Sequence, residues 1–390
     1  MKESEESRSE MRRSSLRGRH AGLERARLLV LALAILPALL PSLAVAAEQQ
    51  QRLAQRVIPI PHPITSLLRA RRIQRELRLT PEAVSQIEEA AHEVDQPLWR
   101  LRDLPPDKRN GQAAKLVDQL KRRLSENLTV RQMERLNQIV WQAQGVEATL
   151  EPEVATQLGL STGQTANILA LLSAGYQKIA EVRLNTQIRS EPVRAAYIQR
   201  IQAETQQSIT AVLTAAQQSA FATLIGRPID LSQVRSVACE APEIVAETWI
   251  NSAPVSLSDL KGKVTVVHFY AFGCGNCVRS LPYYNEWLKR FDADSFGIVG
   301  IHRPETERER DIEKVKEKAT QAGMKYPIAI DNDSLAWQAW GNHTWPTTYL
   351  IDKNGYVRYW WYGELNWQDN GSEKYLRDQI QELIREPAES

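Results

Sequence analysis

The pattern of hydrophobic and polar residues differs between two parts of the chain. Between residues 49 and 227, apolar positions recur every three or four residues among Ala, Leu, Gln, Glu and Arg, which predicts amphipathic helices. Beyond residue 240, apolar residues gather in short continuous runs, such as 264–272 and 296–302. Such runs are typical of buried strands. The pattern therefore predicts an all-α N-terminal region followed by a region that contains buried strands.

Four short motifs predict where helices of the N-terminal region begin. Residues 128–132 and 213–217 share the form Leu-Thr-x-x-Gln, residues 160–164 carry Ser in place of Thr, and residues 79–83 end in Ala instead of Gln. Thr or Ser is a favoured N-cap, and a Gln three residues later completes a capping box. Because the motifs fall as two pairs, we predict two similar helical units, at about 70–145 and 150–227.

The first 47 residues have the composition of an export signal. Several arginines precede an apolar run at 28–43, and residues 44–46 match the Ala-x-Ala pattern of a cleavage site. The run is short for a membrane-spanning helix and contains Pro37 and Pro41, which favours a cleaved signal peptide over a retained N-terminal anchor. Either alternative predicts an extracytoplasmic location, in the periplasm or cell envelope.

Proline-rich and polar stretches separate these regions. The stretch 57–63 carries three prolines, and 226–230 contains Gly, Pro and Asp, so both are predicted to belong to linkers. The predicted division is a signal peptide or anchor at 1–47, a linker at 48–69, a helical domain at 70–227, a linker at 228–240 and a second domain at 241–386.

Composition and charge narrow the classes of function. The 390 residues include 49 Lys and Arg against 47 Asp and Glu, a formal net charge of +2, so nothing indicates nucleic-acid binding. Three cysteines are present, Cys239, Cys274 and Cys277, which does not suit a protein stapled by disulfides. Cys239 is interpreted as a bystander, with an intermolecular link as the alternative.

Cys274 and Cys277 form a Cys-Gly-Asn-Cys motif between a predicted strand and a predicted helix. Thiols three residues apart can close a small disulfide, and a helix N-terminus favours a thiolate, so the motif has the parts needed for thiol–disulfide exchange. Half of a zinc site has the same spacing, but structural zinc needs four ligands and Cys239 is the only other cysteine. A structural disulfide without exchange is the second alternative.

The segments around this motif resemble a known family in their order and spacing. They are the Leu-Ser-Asp-Leu-Lys-Gly-Lys lead-in at 257–263, Pro282 five residues after Cys277, the run at 296–302, the Trp-Pro-Thr-Thr stretch at 345–348 and the Asn-Gly hairpin signal at 354–355. From about 241 to 383 the chain resembles the thioredoxin fold, and within it the extracytoplasmic TlpA- and ResA-like proteins and the C-terminal domain of DipZ-type proteins. This resemblance implies a thioredoxin-like α/β domain, with a central mixed sheet flanked by helices.

The resemblance also implies roles for particular residues. Cys274, the N-terminal and more exposed thiol, is expected to attack a partner disulfide, and Cys277 is expected to resolve the mixed disulfide. Pro346 matches the family's cis proline, which faces the cysteines, and its neighbours Trp345 and Thr347 are expected to contact the substrate chain.

The predicted activity is that of a thiol–disulfide oxidoreductase. Its expected partners are protein thiols and disulfides, and a membrane redox partner is left open. No metal or cofactor is expected beyond the redox-active Cys274–Cys277 disulfide, since no haem, flavin or nucleotide motif is present in the sequence.

Two positions depart from the family pattern. His268 stands six residues before Cys274, where thioredoxins carry a buried Asp that handles protons for the inner cysteine. A His with an ordinary pKa near 6.5 can do the same work around neutral pH, or it can be a core residue without a catalytic role. Gly275 and Asn276 replace the usual Gly-Pro. Because these residues tune the reduction potential, the sequence leaves open whether the protein reduces or oxidises its targets.

The Leu-Thr-x-x-Gln motifs resemble the repeats of Spy- and CpxP-like envelope proteins, whose helices form a concave dimer that holds unfolded partners. This resemblance implies a homodimer formed through the helical region. It supports an alternative function, a helical envelope chaperone whose thioredoxin-like domain presents partners, whereas a plain helical bundle serving as a spacer is the simpler interpretation. A peroxidase of the wider redoxin group is disfavoured, because peroxiredoxins use a Thr-x-x-Cys site.

Overall fold

The computed structural model describes residues 58–185, 187–188 and 191–387 of the chain. The predicted signal peptide or anchor at 1–47 lies outside this part. From residue 63 to residue 224 the described chain is helical, as predicted. Its helices are α1 (Pro63–Arg69), α2 (Arg71–Glu76), α3 (Pro81–Arg100), α4 (Pro106–Asn127), α5 (Val130–Gln144), α6 (Pro152–Gln157), α7 (Thr162–Leu184), α8 (Glu191–Val212) and α9 (Ala215–Leu224).

A seven-stranded mixed sheet forms the centre of the second region, which confirms the predicted fold class. Its strands are β1 (Cys239–Glu240), β2 (Thr248–Ile250), β3 (Val264–Tyr270), β4 (Phe296–His302), β5 (Ile328–Ile330), β6 (Thr347–Ile351) and β7 (Tyr356–Tyr362). Their spatial order is β1-β7-β6-β3-β4-β5-β2, in which β4 pairs parallel with β3 and β5 and the other pairs are antiparallel. The helices of this region are α10 (Gly275–Arg290), α11 (Ile312–Gln321), α12 (Leu335–Ala339) and α13 (Ser372–Arg385).

Central strand β3 is buried along its whole length, which explains its continuous apolar run. On one face, Val266 and Tyr270 join an apolar layer supplied by α10, α11 and α13. On the other face, Val267 and Phe269 join a layer that contains Trp337 of α12. The sheet therefore needs a cover on both faces.

Helix α3 of the helical region supplies part of the apolar layer on the Val267 and Phe269 face of the sheet. Trp99 near its C-terminal end is fully buried, and its ring lies 4.5 Å from that of Trp360 between centroids. Arg102, 8% exposed, donates to the hydroxyls of Tyr362 and Tyr349 at 2.7 and 3.1 Å. A buried guanidinium needs such acceptors because an unpaired buried charge is costly. The first part of the helical region is thus built into the core of the α/β region.

Both predicted linkers contain regular structure where they adjoin the sheet. Within the segment predicted as a linker at 48–69, α1 is a helix whose Ile64 and Leu68 are fully buried. Its Pro63 occupies the first helical position, where proline is tolerated. Within the segment predicted at 228–240, β1 pairs with β7. Packing of α1 against neighbouring helices and pairing of β1 with β7, neither of which is visible in local composition, account for the two differences.

The four short motifs all begin helices, as predicted. Three of them form complete capping boxes, namely Thr129 with Gln132, Ser161 with Gln164 and Thr214 with Gln217, whereas Thr80 accepts from the Ala83 N–H without a reciprocal bond. The glutamines also link neighbouring segments: Gln164 donates to Gln217 at 2.7 Å, and Gln132 donates to the Leu77 carbonyl at 2.9 Å. The motif therefore has a structural use within this chain, while the division into two similar units stays a prediction.

Replacing Trp99 with Ala is expected to lower the free energy of unfolding by about 3–5 kcal/mol, as aromatic truncations in a packed core do. Urea unfolding followed by circular dichroism measures this loss. Trp367→Ala is the matched control, because that indole is 48% exposed and its removal is expected to cost about 1 kcal/mol or less. Similar small losses for both variants would show that α3 is not part of the core.

Candidate active site around Cys274 and Cys277

The two cysteines lie where β3 gives way to α10. Cys274 is the N-cap of α10, and Cys277 lies in the first turn of the helix. Cys274 is half-buried, Cys277 is 1% exposed, and both thiols are reduced in this structure. The backbone N–H groups of Asn276 and Cys277 interact with the Cys274 sulfur. The start of a helix leaves such N–H groups without intrahelical partners, so it favours a thiolate.

The two thiols differ in how readily they lose a proton. The pKa of Cys274 is lowered from 9.0 to about 7, chiefly by a hydrogen bond from the Cys277 side chain and further by the backbone N–H groups, against the opposing effects of burial and of Glu305. Burial raises the pKa of Cys277, and its hydrogen bond to Cys274 raises it further. Around neutral pH, Cys274 is therefore the thiolate and Cys277 is the thiol that donates to it.

Two buried side chains hold the backbone that precedes Cys274. The Gly273 N–H donates to Oε1 of Glu309 at 2.6 Å, and the Phe272 N–H donates to Nε2 of His302 at 3.4 Å. His302 is fully buried and Glu309 is 2% exposed. The conformation of the segment leading to the exposed thiol is thus set by side chains from the end of β4 and the loop beyond it.

The Glu309 carboxylate also organises its own loop. Its Oε2 atom accepts the N–H groups of Glu305 and Thr306 at 2.7 and 2.8 Å. Glu305 is exposed, and its charge raises the pKa of both cysteines. The buried Glu309 carboxylate therefore joins the loop after β3 to the loop after β4. By holding the Glu305 backbone, it also keeps the Glu305 carboxylate near the thiols.

A cation lies on the exposed side of the first turns of α10. Arg279 pairs with Glu364 at 2.7 Å, donates to the side chain of Asn276, and lies 5.9 Å from the ring centroid of Trp367. The charge of the Cys274 thiolate acts on Arg279 and contributes to raising its pKa. The Cys274 thiolate thus has one positively charged neighbour, Arg279, and one negatively charged neighbour, Glu305.

Strand β6 brings Trp345 and Pro346 to the same edge of the sheet as the cysteines. It runs antiparallel to β3 with Thr347 opposite Phe269, so the residues before Thr347 lie beside the segment that follows β3. The Trp345–Pro346 peptide bond is cis, as predicted. Trp345 is half-buried and packs against the same apolar core as Cys274.

Trp345 is held in place, whereas Thr347 is removed from the surface. The Trp345 indole N–H donates to the Arg303 carbonyl at 3.2 Å, and its ring lies 4.3 Å from that of Trp337. Thr347 is 0% exposed and its hydroxyl donates to the Thr344 carbonyl at 2.9 Å. Unlike Trp345, Thr347 has no exposed atom with which to meet a substrate, contrary to the expectation from sequence.

His268 is completely buried in the middle of β3. Its Nε2 atom lies 3.0 Å from the Tyr326 hydroxyl, and its ring stacks on that of Tyr284 at 4.1 Å. Burial lowers the pKa of His268 from 6.5 to about 3, so the imidazole is neutral around pH 7. Of the two alternatives for His268, the structure favours a core residue over a proton carrier at neutral pH, because no acidic neighbour among the described residues compensates the desolvation of an imidazolium.

Sequence reasoning did not single out Glu309 or His302 as site residues. His302 ends a predicted strand, and the carboxyl edge of a parallel pair is a common place for functional side chains, so it could have been found. Glu309 stands in the charged run 305–310, where nothing distinguishes the one buried acid from its exposed neighbours.

The third cysteine, Cys239, lies in β1 and is 0% exposed. Burial raises its pKa, so it does not supply a thiolate near neutral pH. It packs in the apolar layer that contains Trp99. This position fits a bystander, since an intermolecular link would require the core to open.

Neither a metal cluster nor a membrane span is found in the part of the chain that the structure describes. Within it, no group of three or more His, Cys, Asp or Glu side chains is placed to hold a metal ion. None of the helices formed by its residues combines the length and apolar character needed to cross a bilayer.

A Cys-x-x-Cys motif at a helix N-terminus, beside a cis proline and at the end of a central strand of a mixed sheet, defines a thioredoxin-like protein. Comparisons with known proteins agree. The AhpC/TSA family model matches residues 237–360. The protein DipZ of Mycobacterium bovis is 36% identical over 128 residues, 32% of this chain and 18% of that protein.

Two further comparisons concern proteins named for thiol–disulfide chemistry. The thiol-disulfide oxidoreductase YkuV of Bacillus subtilis is 30% identical over 119 residues, 30% of this chain and 80% of YkuV. The crystal structure of a thiol-disulfide isomerase from Corynebacterium glutamicum is 22% identical, with 38% of this chain and 98% of that chain covered and a TM-score of 0.33.

The chain spans 18% of the length of DipZ but four fifths of YkuV. On the strength of the YkuV match, it belongs to the thioredoxin-like thiol–disulfide oxidoreductases.

Alkylation of Cys274 by iodoacetamide is expected to speed up with rising pH with a midpoint near 7, because the thiolate is the reactive form. Site-resolved mass spectrometry of the reduced Cys239→Ser chain measures the rate. Cys277→Ala removes the hydrogen bond to the thiolate and is expected to move the midpoint towards 9. A midpoint near 9 in the parent would contradict the assignment of Cys274 as a stabilised thiolate.

Glu309→Ala leaves three buried or partly buried N–H groups without their acceptor, so it is expected to slow disulfide exchange at least about tenfold and to destabilise the fold by about 2–4 kcal/mol. Exchange rate, unfolding free energy and the alkylation midpoint of Cys274 are measured together. Glu307→Ala is the matched control, since that neighbouring side chain is 92% exposed. If Glu309→Ala lowers only the free energy of unfolding, while its disulfide exchange rate and its Cys274 alkylation midpoint match those of Glu307→Ala, then Glu309 does not position the active-site cysteines.

The fold is expected to lose stability below pH 6.5 because of His268. Between pH 6.5 and about 3 the unfolded chain binds a proton on this residue and the folded chain does not, so its contribution is present above 6.5 and is lost as pH falls. The slope for one such group is at most about 1.4 kcal/mol per pH unit. His268→Phe keeps a ring but removes the titration, so it should flatten the decline in Tm between pH 6.5 and 4. Equal slopes for variant and parent would contradict the assignment.

Proposed function

We propose that this chain is an extracytoplasmic thiol–disulfide oxidoreductase that reduces protein disulfides with the Cys274–Cys277 pair. The observation that carries the proposal is the difference in exposure and in pKa between the two thiols. Cys274 is half-buried with its pKa lowered to about 7, whereas burial raises the pKa of Cys277. A reachable thiolate beside a protected thiol is the arrangement that a two-step exchange requires.

The exchange balances without a further cofactor. The Cys274 thiolate attacks one sulfur of a partner disulfide, the partner's S–S bond breaks, and its other sulfur leaves as a thiolate that takes up a proton. Cys277 then loses its proton and attacks the Cys274 sulfur, which forms the Cys274–Cys277 disulfide and releases the second partner thiol. Two electrons pass from the chain to the partner, and the intramolecular disulfide is the only redox group needed.

The size of the Cys274 shift favours reduction as the direction. Thioredoxin, a reductant, has a cysteine pKa near 7, whereas the strong oxidant DsbA has one near 3.5, because a strongly stabilised thiolate favours the reduced form. A pKa of about 7 for Cys274 is close to the thioredoxin value and supports reduction as the proposed direction.

The surroundings of Cys274 suit a polypeptide substrate. Val278 and Trp367 are 46% and 48% exposed, and Arg279, which follows Val278 in α10, lies 5.9 Å from the Trp367 ring centroid. On the other side, Trp345 and Pro346 stand at the edge where β6 begins. We assign Trp345, with the peptide that joins it to the buried Pro346, to the contact with the substrate chain and give neither Thr347 nor a charged form of His268 a direct part.

Location and electron supply complete the proposal. The export pattern at 1–47 supports a location outside the cytoplasm, where disulfides form and need to be managed. Each turnover leaves the Cys274–Cys277 disulfide oxidised, so a dithiol donor, a membrane redox protein among the candidates, has to reduce it again. Dimer formation through the helical region stays a prediction.

Cys274→Ser is expected to reduce the rate of insulin disulfide reduction to the uncatalysed level, and Cys277→Ser is expected to accumulate a mixed disulfide, because the resolving thiol is missing. Stopped assays and non-reducing electrophoresis measure these outcomes. Cys239→Ser, with its thiol buried in β1, serves as the control and should retain the parental rate. Unchanged rates in both site variants would exclude exchange and favour the helical binding-protein alternative.

A redox titration of the Cys239→Ser chain in dithiothreitol buffers measures the reduction potential of the Cys274–Cys277 pair and so distinguishes a reductant from an oxidant. A two-electron couple near that of thioredoxin, about −270 mV, supports the proposed reductant. A couple near about −120 mV would mark an oxidant and overturn the direction while leaving the exchange mechanism intact.

A further inference from the structure

A cavity of about 780 Å³ lies between α2, the turn before β3 and the β6–β7 hairpin. Seven of the side chains lining it are basic and two are acidic, although the whole chain carries a net charge of only +2. We define this basic groove by Arg71 and Arg75 of α2, Lys261 before β3, and Lys353 and Tyr356 at the hairpin. Its volume lies in the range of small-molecule sites.

Three of the cations are uncompensated. Arg71, Arg75 and Lys261 are exposed, and among the described residues they form no side-chain hydrogen bond and no ion pair. Other basic residues of the groove are engaged: Arg72 pairs with Asp230 at 3.3 Å, and Lys353 donates to two carbonyls near the end of α13.

The two acidic side chains do not neutralise this trio. Asp352 pairs with Arg358 at 3.2 Å and accepts the backbone N–H groups of Asn354 and Tyr356. Glu88 accepts a long hydrogen bond from the neutral amide of Gln74 at 3.4 Å, so its charge can offset one of the three cations but not all of them. Since like charges in a concave site with low-dielectric walls reinforce one another, the groove concentrates a positive potential that an anion would relieve.

From these observations we propose that the basic groove binds a phosphate-bearing anion. Guanidinium groups match phosphate oxygens in geometry, and a lysine adds a point charge. The amide of Gln233 lines the same cavity and can donate further hydrogen bonds. The ligand is therefore a phosphate compound with two or more negative charges, or the phosphate headgroups of an anionic lipid surface.

The groove lies at the opposite end of the sheet from the cysteines. Lys261 precedes β3 and Cys274 follows it, so the seven residues of the strand separate the two sites by roughly 23 Å. An anion in the groove leaves Cys274 accessible. The site is therefore independent of the proposed exchange activity, and its occupation by a lipid surface would direct the cysteines away from that surface.

The position in the chain favours the lipid source. Helix α1, which carries Ser66 and Arg69 into the groove, follows the N-terminal segment, and the apolar run at 28–43 ends fifteen positions before the first described residue, Ile58. The basic residues of the groove therefore follow the apolar run closely in sequence, as a patch that contacts an anionic membrane surface would if that run reaches the membrane.

The test uses the full chain and two matched triple variants. Arg71→Gln, Arg75→Gln and Lys261→Gln remove the uncompensated trio. Lys115→Gln, Arg122→Gln and Arg131→Gln remove two arginines and one lysine that are equally exposed but do not line the groove. Both variants keep the same N-terminus, so any contribution of the apolar run cancels in the comparison.

Binding of pyrophosphate is measured by calorimetry, and binding to phosphatidylcholine vesicles is measured with and without phosphatidylglycerol. Each basic residue near an anionic surface contributes roughly a fivefold factor, so the groove variant is expected to lose about a hundredfold in affinity while the control variant retains it. The disulfide exchange rate should be unchanged in both variants.

Each outcome decides the proposal. Pyrophosphate binding that the groove variant loses identifies a soluble phosphate ligand, whereas loss confined to phosphatidylglycerol vesicles identifies a lipid headgroup. Absence of binding in both arms, or equal affinities for the two triple variants, overturns the phosphate site.

Discussion

The parallel pairing of β3 with β4 determines where the chemistry of this protein can take place. The register runs unbroken from Val264 opposite Phe296 to Tyr270 opposite His302, so both strands end at the same edge of the sheet. The loops that follow them must then meet, and the buried carboxylate of Glu309 joins them through backbone N–H groups. A carboxylate is tolerated in that position only because donors surround it, and the segment before the first cysteine supplies one of those donors.

The same edge explains why two chemically identical thiols differ. A helix that starts at the end of a buried strand exposes its N-cap to solvent and turns a residue of its first turn towards the core. Cys274 therefore receives free N–H groups and partial solvation, whereas Cys277 is buried, has a backbone hydrogen bond with Ala271 only, and donates its own proton to Cys274. Local geometry thus produces a nucleophile and a resolving thiol from one short motif, with the neighbouring loops holding that geometry in place.

The helical region takes part in the thioredoxin-like fold in two ways. Trp99 and Arg102 cover one face of the sheet, where a buried guanidinium is satisfied by tyrosine hydroxyls. Helices α1 and α2 form a wall of the basic groove at the end of the sheet away from the cysteines. The capping-box glutamines act within the helical region, where they bond Gln132 to Leu77 and Gln164 to Gln217. The helical region therefore packs directly against the thioredoxin-like domain.

The amino-acid sequence by itself determined what depends on near neighbours: helix starts at the capping boxes, the buried run of β3, and the placement of two cysteines at a strand-to-helix junction. Its resemblance to a family supplied the position of the cis proline. Only the tertiary structure decided that Glu309 is the buried acid of a charged run, that Thr347 is out of a substrate's reach, and that His268 stays neutral. Burial and charge compensation are set by residues distant in sequence, and a local pattern does not record which of its members a distant strand or helix will cover.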